Sequence, residues 1–522
     1  MEKLEKIVLI DVSPTLPTLG NLLGMPRFGV GVVGSVLSNA GYQVTIYSDV
    51  YKNVSSNLVV SNNPDVVMFG GLRSSLNKIS GLSVEVKKQM PKVPIIVGGE
   101  EATISPENVR KFADYILQFE GDERILQLVE VLKSEGDLSR IKGLHYKDQA
   151  GKWRYTEKPQ RMQKINFQID PRIYSGLEYL KRNNWLAKQF NLVPNFQRRW
   201  SRYSALSEWR YLSFPLQTSR GCPYSCSFCS KDALFGGQGY VERKIEDVLS
   251  DVDSVIEYSG ITRFSIVDNL FGFSREYLRS FCDEVRCHFR GRKNKPTFAA
   301  LMRADQLTDE ETVKLLRNAG FESLTIGVDS LNYKTRQQYS NGKRDIKIFE
   351  VAAKLLLVYG IRAVATFAVG GGEDKKEDIV ATVEFAKKNN VEQIQLYPFY
   401  ITRGSREYKI NNRLVIPNVP SDYYNGHAVT ILPRRMLPTE LQERSLSAME
   451  KFYSPLTSLG LFYRLKLRQI RNSLSQHFSF LRKIETGLIE RGIYEKSAKY
   501  NEWRLNEQKL RELNWACLTN HL

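Results

Sequence analysis

Residues 217–230 read Gln217-Thr218-Ser219-Arg220-Gly221-Cys222-Pro223-Tyr224-Ser225-Cys226-Ser227-Phe228-Cys229-Ser230 and leave the end of an apolar run that starts at Pro215. Three thiols stand at spacings of four and three, and Gly221 and Pro223 shape a loop that turns sulfurs and backbone N–H groups inward. A cubane iron–sulfur cluster normally takes four cysteine ligands. With three, one iron stays open to an outside ligand, the same logic that separates catalytic from structural zinc sites. A zinc site completed by a His is the alternative, but no His lies near in sequence and His288 would have to approach through the fold. Six cysteines in 522 residues exclude a disulfide scaffold, and the scattered Cys282, Cys287 and Cys517 read as small buried hydrophobes.

Downstream of the loop, short apolar runs alternate with amphipathic stretches. Strands are expected at Pro215 to Ser219, Arg263 to Val267, Thr297 to Leu301, Ser323 to Val328, Ala363 to Val369 and Gln393 to Tyr397. Helices separate them, such as Ile245 to Tyr258 and Asp309 to Asn318, the latter entered through a Thr308 cap and closed by Gly320. Six such units suit a partial barrel, with chemistry at the carboxyl ends of its strands.

Upstream, the strand candidates are Lys6 to Val12, Gln43 to Ser48, Asp65 to Phe69, Pro94 to Val97 and Asp114 to Gln118, a pattern for a parallel sheet covered by helices. The last three lead into Gly70-Gly71-Leu72-Arg73-Ser74-Ser75, Gly98-Gly99-Glu100-Glu101 and Glu120-Gly121-Asp122-Glu123. Open parallel sheets bind ligands beyond the carboxyl ends of their strands, where these glycines fall; tight turns alone would also explain them. Residues 150–210 are aromatic and basic with little periodicity, which suits an interdomain linker, with a nucleic-acid patch as the rival reading. Beyond residue 405 helices dominate. There Leu461, Phe462, Leu465 and Ile470 stand among Arg464, Lys466, Arg468 and Arg471, a pattern for a basic helix on an anionic membrane or packed on the barrel with its charges solvated.

Composition bounds the rest. A 42% hydrophobic and 25% charged chain is folded rather than disordered, and no uncharged run suits a transmembrane span. The opening MEKLEKIVLIDVSP runs into a strand and lacks a secretory cleavage site, so a cytoplasmic protein is expected, with peripheral membrane contact through its C-terminal region. The net charge of +18 is compatible with an anionic metabolite, an anionic lipid surface or solubility alone.

The cysteine loop resembles that of the radical S-adenosylmethionine superfamily, down to Phe228 before the last cysteine. The resemblance implies that Cys222, Cys226 and Cys229 ligate a 4Fe-4S cluster. Its open iron would chelate S-adenosylmethionine, which electron transfer cleaves to a 5′-deoxyadenosyl radical. Further elements follow in order. Val267-Asp268-Asn269-Leu270-Phe271 resembles the second-strand turn, and Met302-Arg303-Ala304-Asp305 the third-strand element, whose guanidinium suits a carboxylate. Gly327-Val328-Asp329-Ser330 resembles the fourth-strand Gly-hydrophobic-Glu-Ser element with Asp329 in place of Glu, and Gly370-Gly371-Gly372-Glu373 the fifth-strand element without its Pro. Phe228, Asp268, Asn269, Arg303, Asp329, Ser330 and Gly370 are the implied S-adenosylmethionine contacts.

A doubly wound domain before such a barrel resembles the cobalamin-binding members of that superfamily, with Gly70, Arg73, Ser74, Gly98, Gly99, Glu100, Glu120 and Gly121 as the implied cobalamin contacts. The RNA methylthiotransferases fit poorly, since their amino-terminal domain carries three further cysteines and residues 1–221 contain none. The first 144 residues also lack His, the usual protein ligand to cobalt, and Arg73 is a candidate neighbour of the lower face. A cation cannot coordinate cobalt, and weak ligation would favour release of a methyl group to a carbon radical.

The expected architecture is α/β: a Rossmann-like cobalamin-binding domain (1–145), an aromatic and basic linker (146–210), a partial (β/α)6 radical barrel (211–405) and a helical C-terminal region (406–522). The resemblance implies a methyltransferase acting on an unactivated carbon. The alternatives are an oxidative cyclase or ring-rearranging enzyme of tetrapyrrole type and, more remotely, a cobalamin or redox sensor. It also implies an external flavodoxin- or ferredoxin-type donor. Tyr397, Tyr400 and Arg403, after the sixth strand, are expected to face a small-molecule or lipid-like, anionic substrate, with no nucleic acid.

Overall fold

Five of the six residues of the apolar run Lys6–Asp11 are buried, and the run forms β1, a strand covered on both faces, as parallel sheets require. The computed structural model describes residues 4–16, 25–178, 213–237, 239–340, 345–454 and 458–490. Around β1 lie β2 (Gln43–Ser48), β3 (Val66–Gly71), β4 (Ile95–Gly99) and β5 (Tyr115–Leu117), all parallel. The sheet order is β2-β1-β3-β4-β5, doubly wound, and the order reverses between β1 and β3, where such sheets bind ligands. The sheet continues past the expected boundary at residue 145 through an antiparallel pair, β6 (Leu144–Lys147) and β7 (Trp153–Tyr155). With only four and three residues, these strands are too short to show a period of two.

The second sheet is all parallel: β8 (Phe214–Leu216), then β11 (Arg263–Ile266), β12 (Thr297–Met302), β13 (Phe321–Asp329), β14 (Arg362–Val369) and β15 (Gln393–Pro398), each beside the next. This is the expected open barrel. Between β8 and β11 sits a small antiparallel hairpin, β9 (Ser219–Cys222) with β10 (Gly239–Glu242), which carries the first cysteine. The helix Glu310–Asn318 is capped by Asp309, whose carboxylate accepts from Thr312 N at 2.8 Å, and not by Thr308. The anionic side chain wins because it also faces the positive helix end. In the helix Arg275–His288, Cys282 is buried as expected, whereas Cys287 is exposed on the opposite face. Cys517 lies outside the described residues.

Residues 165–178, within the expected linker, pack between the two sheets. The Phe167 ring meets Phe28 edge-on at 5.7 Å and lies 4.0 Å beneath the Arg243 guanidinium, and Tyr174 meets Phe214 edge-on at 5.7 Å. Gly31 makes room for Tyr174: a Cβ there would stand 2.0 Å from the phenol oxygen. The aromatic stretch from 179 to 212, and with it the nucleic-acid reading, lies outside the described residues.

The basic helix is Ser458–Ser473. Its Leu467 and Ile470 are buried, and its Arg471 bridges Glu443 at 2.7 Å and Glu450 at 3.0 Å on the helix Pro438–Phe452. Ile470 is therefore unavailable to a lipid surface. The side chains of Leu461, Phe462, Leu465 and Lys466 lie outside the described residues, and Arg464 and Arg468 are exposed. Among the described residues no helix is long and apolar enough to cross a membrane.

A buried pair ties the linking segment to the barrel: Arg243 Nη1 stands 2.7 Å from Asp251, and Arg243 Nη2 donates to Phe167 O at 2.6 Å. Removing one partner would strand a buried charge. Asp251→Ala is expected to lower unfolding free energy by about 3–5 kcal/mol, read from urea titration; a loss under about 1 kcal/mol contradicts this assignment.

Candidate functional site

The cysteine loop is held from beneath by two residues at the end of β11. The Asp268 carboxylate, buried, accepts from Thr218 N at 2.8 Å and from Ser219 Oγ at 2.6 Å, while Asn269 Oδ1 accepts from Gly221 N at 3.2 Å. Burial pushes the Asp268 carboxyl up to about 6, against the pull of those donors. Gly221 has φ +84°, and a Cβ there would come within 2.3 Å of Gly239 O, so the bend one residue before Cys222 admits only glycine. On its other side the loop is pinned by Ser227 N donating to Tyr339 O at 3.1 Å and Glu407 N donating to Ser227 O at 2.9 Å.

Cys222, Cys226 and Cys229 are all half-buried on this one loop, and none is in a disulfide. Among the described residues no three His, Cys, Asp or Glu side chains close on a single metal ion. A cluster places one iron at each thiolate and so needs a wider spacing, and three soft sulfur donors suit iron–sulfur chemistry. The donor set fits a cluster.

The other barrel residues gather at the carboxyl ends of their strands. Ser330 and Gly370, from adjacent strand ends, share one carboxylate that sequence reading did not single out: Asp374 accepts from Ser330 Oγ at 2.5 Å and from Gly370 N at 3.0 Å. Asp329 ends β13 with φ 64°. Arg303 is engaged by its neighbour Asp305, with Nη2 to Oδ2 at 2.7 Å, and lies 3.9 Å over the Tyr224 ring. Phe228 meets Tyr339 and Phe399 edge-on at 6.3 and 6.2 Å.

In the amino-terminal sheet, β3 and β4 pair so that Gly70 faces Gly98 and Gly71 faces Gly99. Two neighbouring strands thus end without side chains, a bare shelf on which a broad ligand can lie against backbone. Gly99, at φ +98°, would bring a Cβ within 3.0 Å of Gly71 N and O. The shelf, at the carboxyl edge beside the β1/β3 switch, fits a corrin-sized group.

Both sets of strand ends open on one cavity of about 580 Å³. Arg73, Ser74 and Glu100 line it from the first sheet; Phe228, Cys229, Asp329, Tyr397, Tyr400 and Arg403 line it from the barrel. A segment from Tyr423 to Thr430 roofs part of it, with Arg73 lying 3.5 Å over the Tyr424 ring and Asn77 donating to Asp422 at 2.9 Å. Burial, reinforced by Glu101, holds the Glu100 carboxyl above the ordinary range against the pull of Arg27 and Arg73. Arg403 pairs with Glu107 at 3.0 Å and bonds Ser105 at 3.2 Å, bridging the two domains.

Cys222, Cys226, Asp268, Asn269, Arg303, Ser330 and Gly370 do not line this cavity, and neither do Gly70, Gly98 and Gly99, whose shelf lies under its first-sheet wall. Glu120 borders a separate cavity of about 310 Å³ and stands 3.5 Å from Arg220, while Gly121 packs against Leu117 at the start of the helix Asp122–Ser134. The roof escaped sequence reading because it lies beyond the barrel pattern, although Tyr423-Tyr424-Asn425-Gly426 carries a turn signal.

Comparison with known proteins gives the following. A model of the B12 binding domain matches residues 23–129 and a model of the radical SAM superfamily matches residues 216–386. The chain is 23% identical to an uncharacterized methyltransferase of Pyrococcus horikoshii, over 79% of this chain and 85% of the relative. It is 20% identical to the anaerobic magnesium-protoporphyrin IX monomethyl ester cyclase of Synechocystis sp., over 72% of this chain and 71% of the relative. In fold it matches the radical S-adenosylmethionine methyltransferase TsrM from Kitasatospora setae, solved with cobalamin and a 4Fe-4S cluster, at a TM-score of 0.59 and 15% identity, over 98% of this chain and 100% of that one.

Asp374 generates a pH prediction. Burial pushes its carboxyl up to about 7. A carboxyl harder to ionise in the fold than in the unfolded chain favours the fold at low pH, and that contribution is lost as pH rises from about 4 to about 7. Asp374→Asn is expected to flatten the fall in urea midpoint across this window; an unchanged slope contradicts the assignment.

Proposed function

We propose that this chain, which belongs to the cobalamin-binding radical S-adenosylmethionine enzymes, methylates an unactivated carbon of a small molecule. The observation that carries the reading is the single cavity bordered by Cys229 on one side and by the residues following the β3 and β4 shelf on the other. When bound, the cluster with S-adenosylmethionine supplies hydrogen-atom abstraction, and cobalamin supplies the methyl group.

The chain's own part is to hold, orient and exclude. Cys222, Cys226 and Cys229 would hold the cluster, with Asp268 and Asn269 fixing the loop that presents them. Ser330 and Gly370, joined through Asp374, would seat S-adenosylmethionine, with Asp329 and Phe228 at the cavity wall. Gly70, Gly98 and Gly99 would carry the corrin, with Ser74 and Glu100 beside it. Tyr397 and Tyr400 would face the substrate, and the Tyr423–Thr430 roof would keep water and oxygen away. Arg303, Arg403 and Glu120 serve this reading as positioning residues, through Asp305, Glu107 and Arg220. A reducing cytoplasmic setting and an external low-potential donor of flavodoxin or ferredoxin type belong to the same reading.

Two experiments test it. Anaerobic turnover is expected to yield 5′-deoxyadenosine and S-adenosylhomocysteine together, by chromatography. Deoxyadenosine without S-adenosylhomocysteine would instead support a cyclase or rearranging enzyme, the activity class of the Synechocystis relative. Separately, Arg73→Ala is expected to alter the visible spectrum of bound cobalamin and slow methyl transfer, and an unchanged spectrum and rate would remove Arg73 from the cobalt's lower face.

A further inference from the structure

The net charge of +18 is compatible with an anionic substrate among other readings, but the cavity does not carry that excess. Its wall and roof carry the rings of Phe228, Phe367, Tyr397, Phe399, Tyr400 and Tyr424, with the neutral side chains of Ser74, Thr366, Thr402, Asn425 and Thr430 among them. Five charged side chains reach it: Arg73, Arg403, Glu100, Glu101 and Asp329. The two cations already have neighbours, Arg73 the Tyr424 ring at 3.5 Å and Arg403 the Glu107 carboxylate at 3.0 Å. An anionic ligand would therefore meet three carboxyls and two engaged guanidiniums. A cationic ligand fares little better, since Glu101 accepts from Asn108 at 2.7 Å and burial disfavours ionisation of Glu100. Asp329 sits at the strand end beside the Ser330–Asp374–Gly370 bridge, on the side proposed for S-adenosylmethionine.

From this lining we propose that the substrate is an uncharged, largely apolar small molecule, bound against Tyr397, Phe399 and Tyr400 beneath the Tyr423–Thr430 roof. The inference rests on the methylation reading for its site and narrows the ligand that site takes. A charged ligand entering such a wall would exchange its hydration for a few neutral hydroxyl and amide groups, whereas aromatic faces hold apolar surface well. Tyr400 is the most telling side chain, because its 45% exposure faces the cavity and a substitution there changes the wall without opening the core.

The test is calorimetric titration of the anaerobic holoenzyme, loaded with cluster, cobalamin and S-adenosylmethionine, with three probes that share a naphthalene ring: 1-naphthol, 1-naphthyl phosphate and 1-naphthyltrimethylammonium. The expected result is 1-naphthol binding at least about tenfold more tightly than either charged probe, with Tyr400→Glu abolishing that preference and Tyr400→Phe retaining it. Equal or tighter binding of a charged probe, no binding of 1-naphthol, or a preference untouched by Tyr400→Glu overturns the proposal. Because these titrations need no turnover, failure here is distinct from failure of the methylation reading, which the product assay alone decides.

Discussion

Arg220 stands two residues before Cys222 and is buried in the other domain's acidic loop, 2.7 Å from Asp122 and 3.5 Å from Glu120, with the Phe167 ring 5.7 Å away. Every side chain in this group is shielded from water, so losing either carboxylate would leave a buried guanidinium undercompensated. The pair fixes the cysteine loop against the loop that follows β5, and it thereby sets the carboxyl edges of the two sheets facing one another. The shared cavity exists because of that apposition. Arg403 with Glu107 repeats the device at the far rim.

Around this joint, the site depends on buried carboxyls that act on backbone and hydroxyl groups rather than on ligands directly. Asp268 holds Thr218 and Ser219 below the cluster loop, and Asp374 joins Ser330 to Gly370 across adjacent strand ends. Burial raises both groups, which marks the strain of keeping acids inside an apolar barrel. Their hydrogen bonds hold the loop backbone and the strand ends in place from within the barrel, the kind of preorganisation such chemistry requires.

Much of this was legible in the sequence, because long buried strands print themselves as apolar runs. The stretch Gln43–Ser48 is a strand with the bounds its pattern implies, and β11 to β15 fall within a few residues of theirs. The cysteine spacing and the paired glycines marked the two halves of the candidate site, although only the structure puts Gly70 opposite Gly98. What stayed hidden has physical causes. The β9–β10 hairpin has only four residues to a strand, Ser219–Cys222 and Gly239–Glu242, too few to print an apolar period. The ion pairs that Glu120 and Arg403 make across the domain joint, with Arg220 and Glu107, stayed hidden because only tertiary proximity makes such pairs. Ile470 belonged to an amphipathic stripe that suits a membrane or a helix partner equally, and the Glu443 and Glu450 contacts of Arg471 show the partner.

The central claim is that one cavity is bordered by both cofactor sites. Anomalous scattering from crystals of the loaded enzyme, recorded at the iron and cobalt absorption edges, tests it most directly. The account predicts iron at Cys222, Cys226 and Cys229 and cobalt above the Gly70–Gly98 shelf, on opposite sides of that cavity. Cobalt bound elsewhere on the chain, or iron away from these three cysteines, would contradict it.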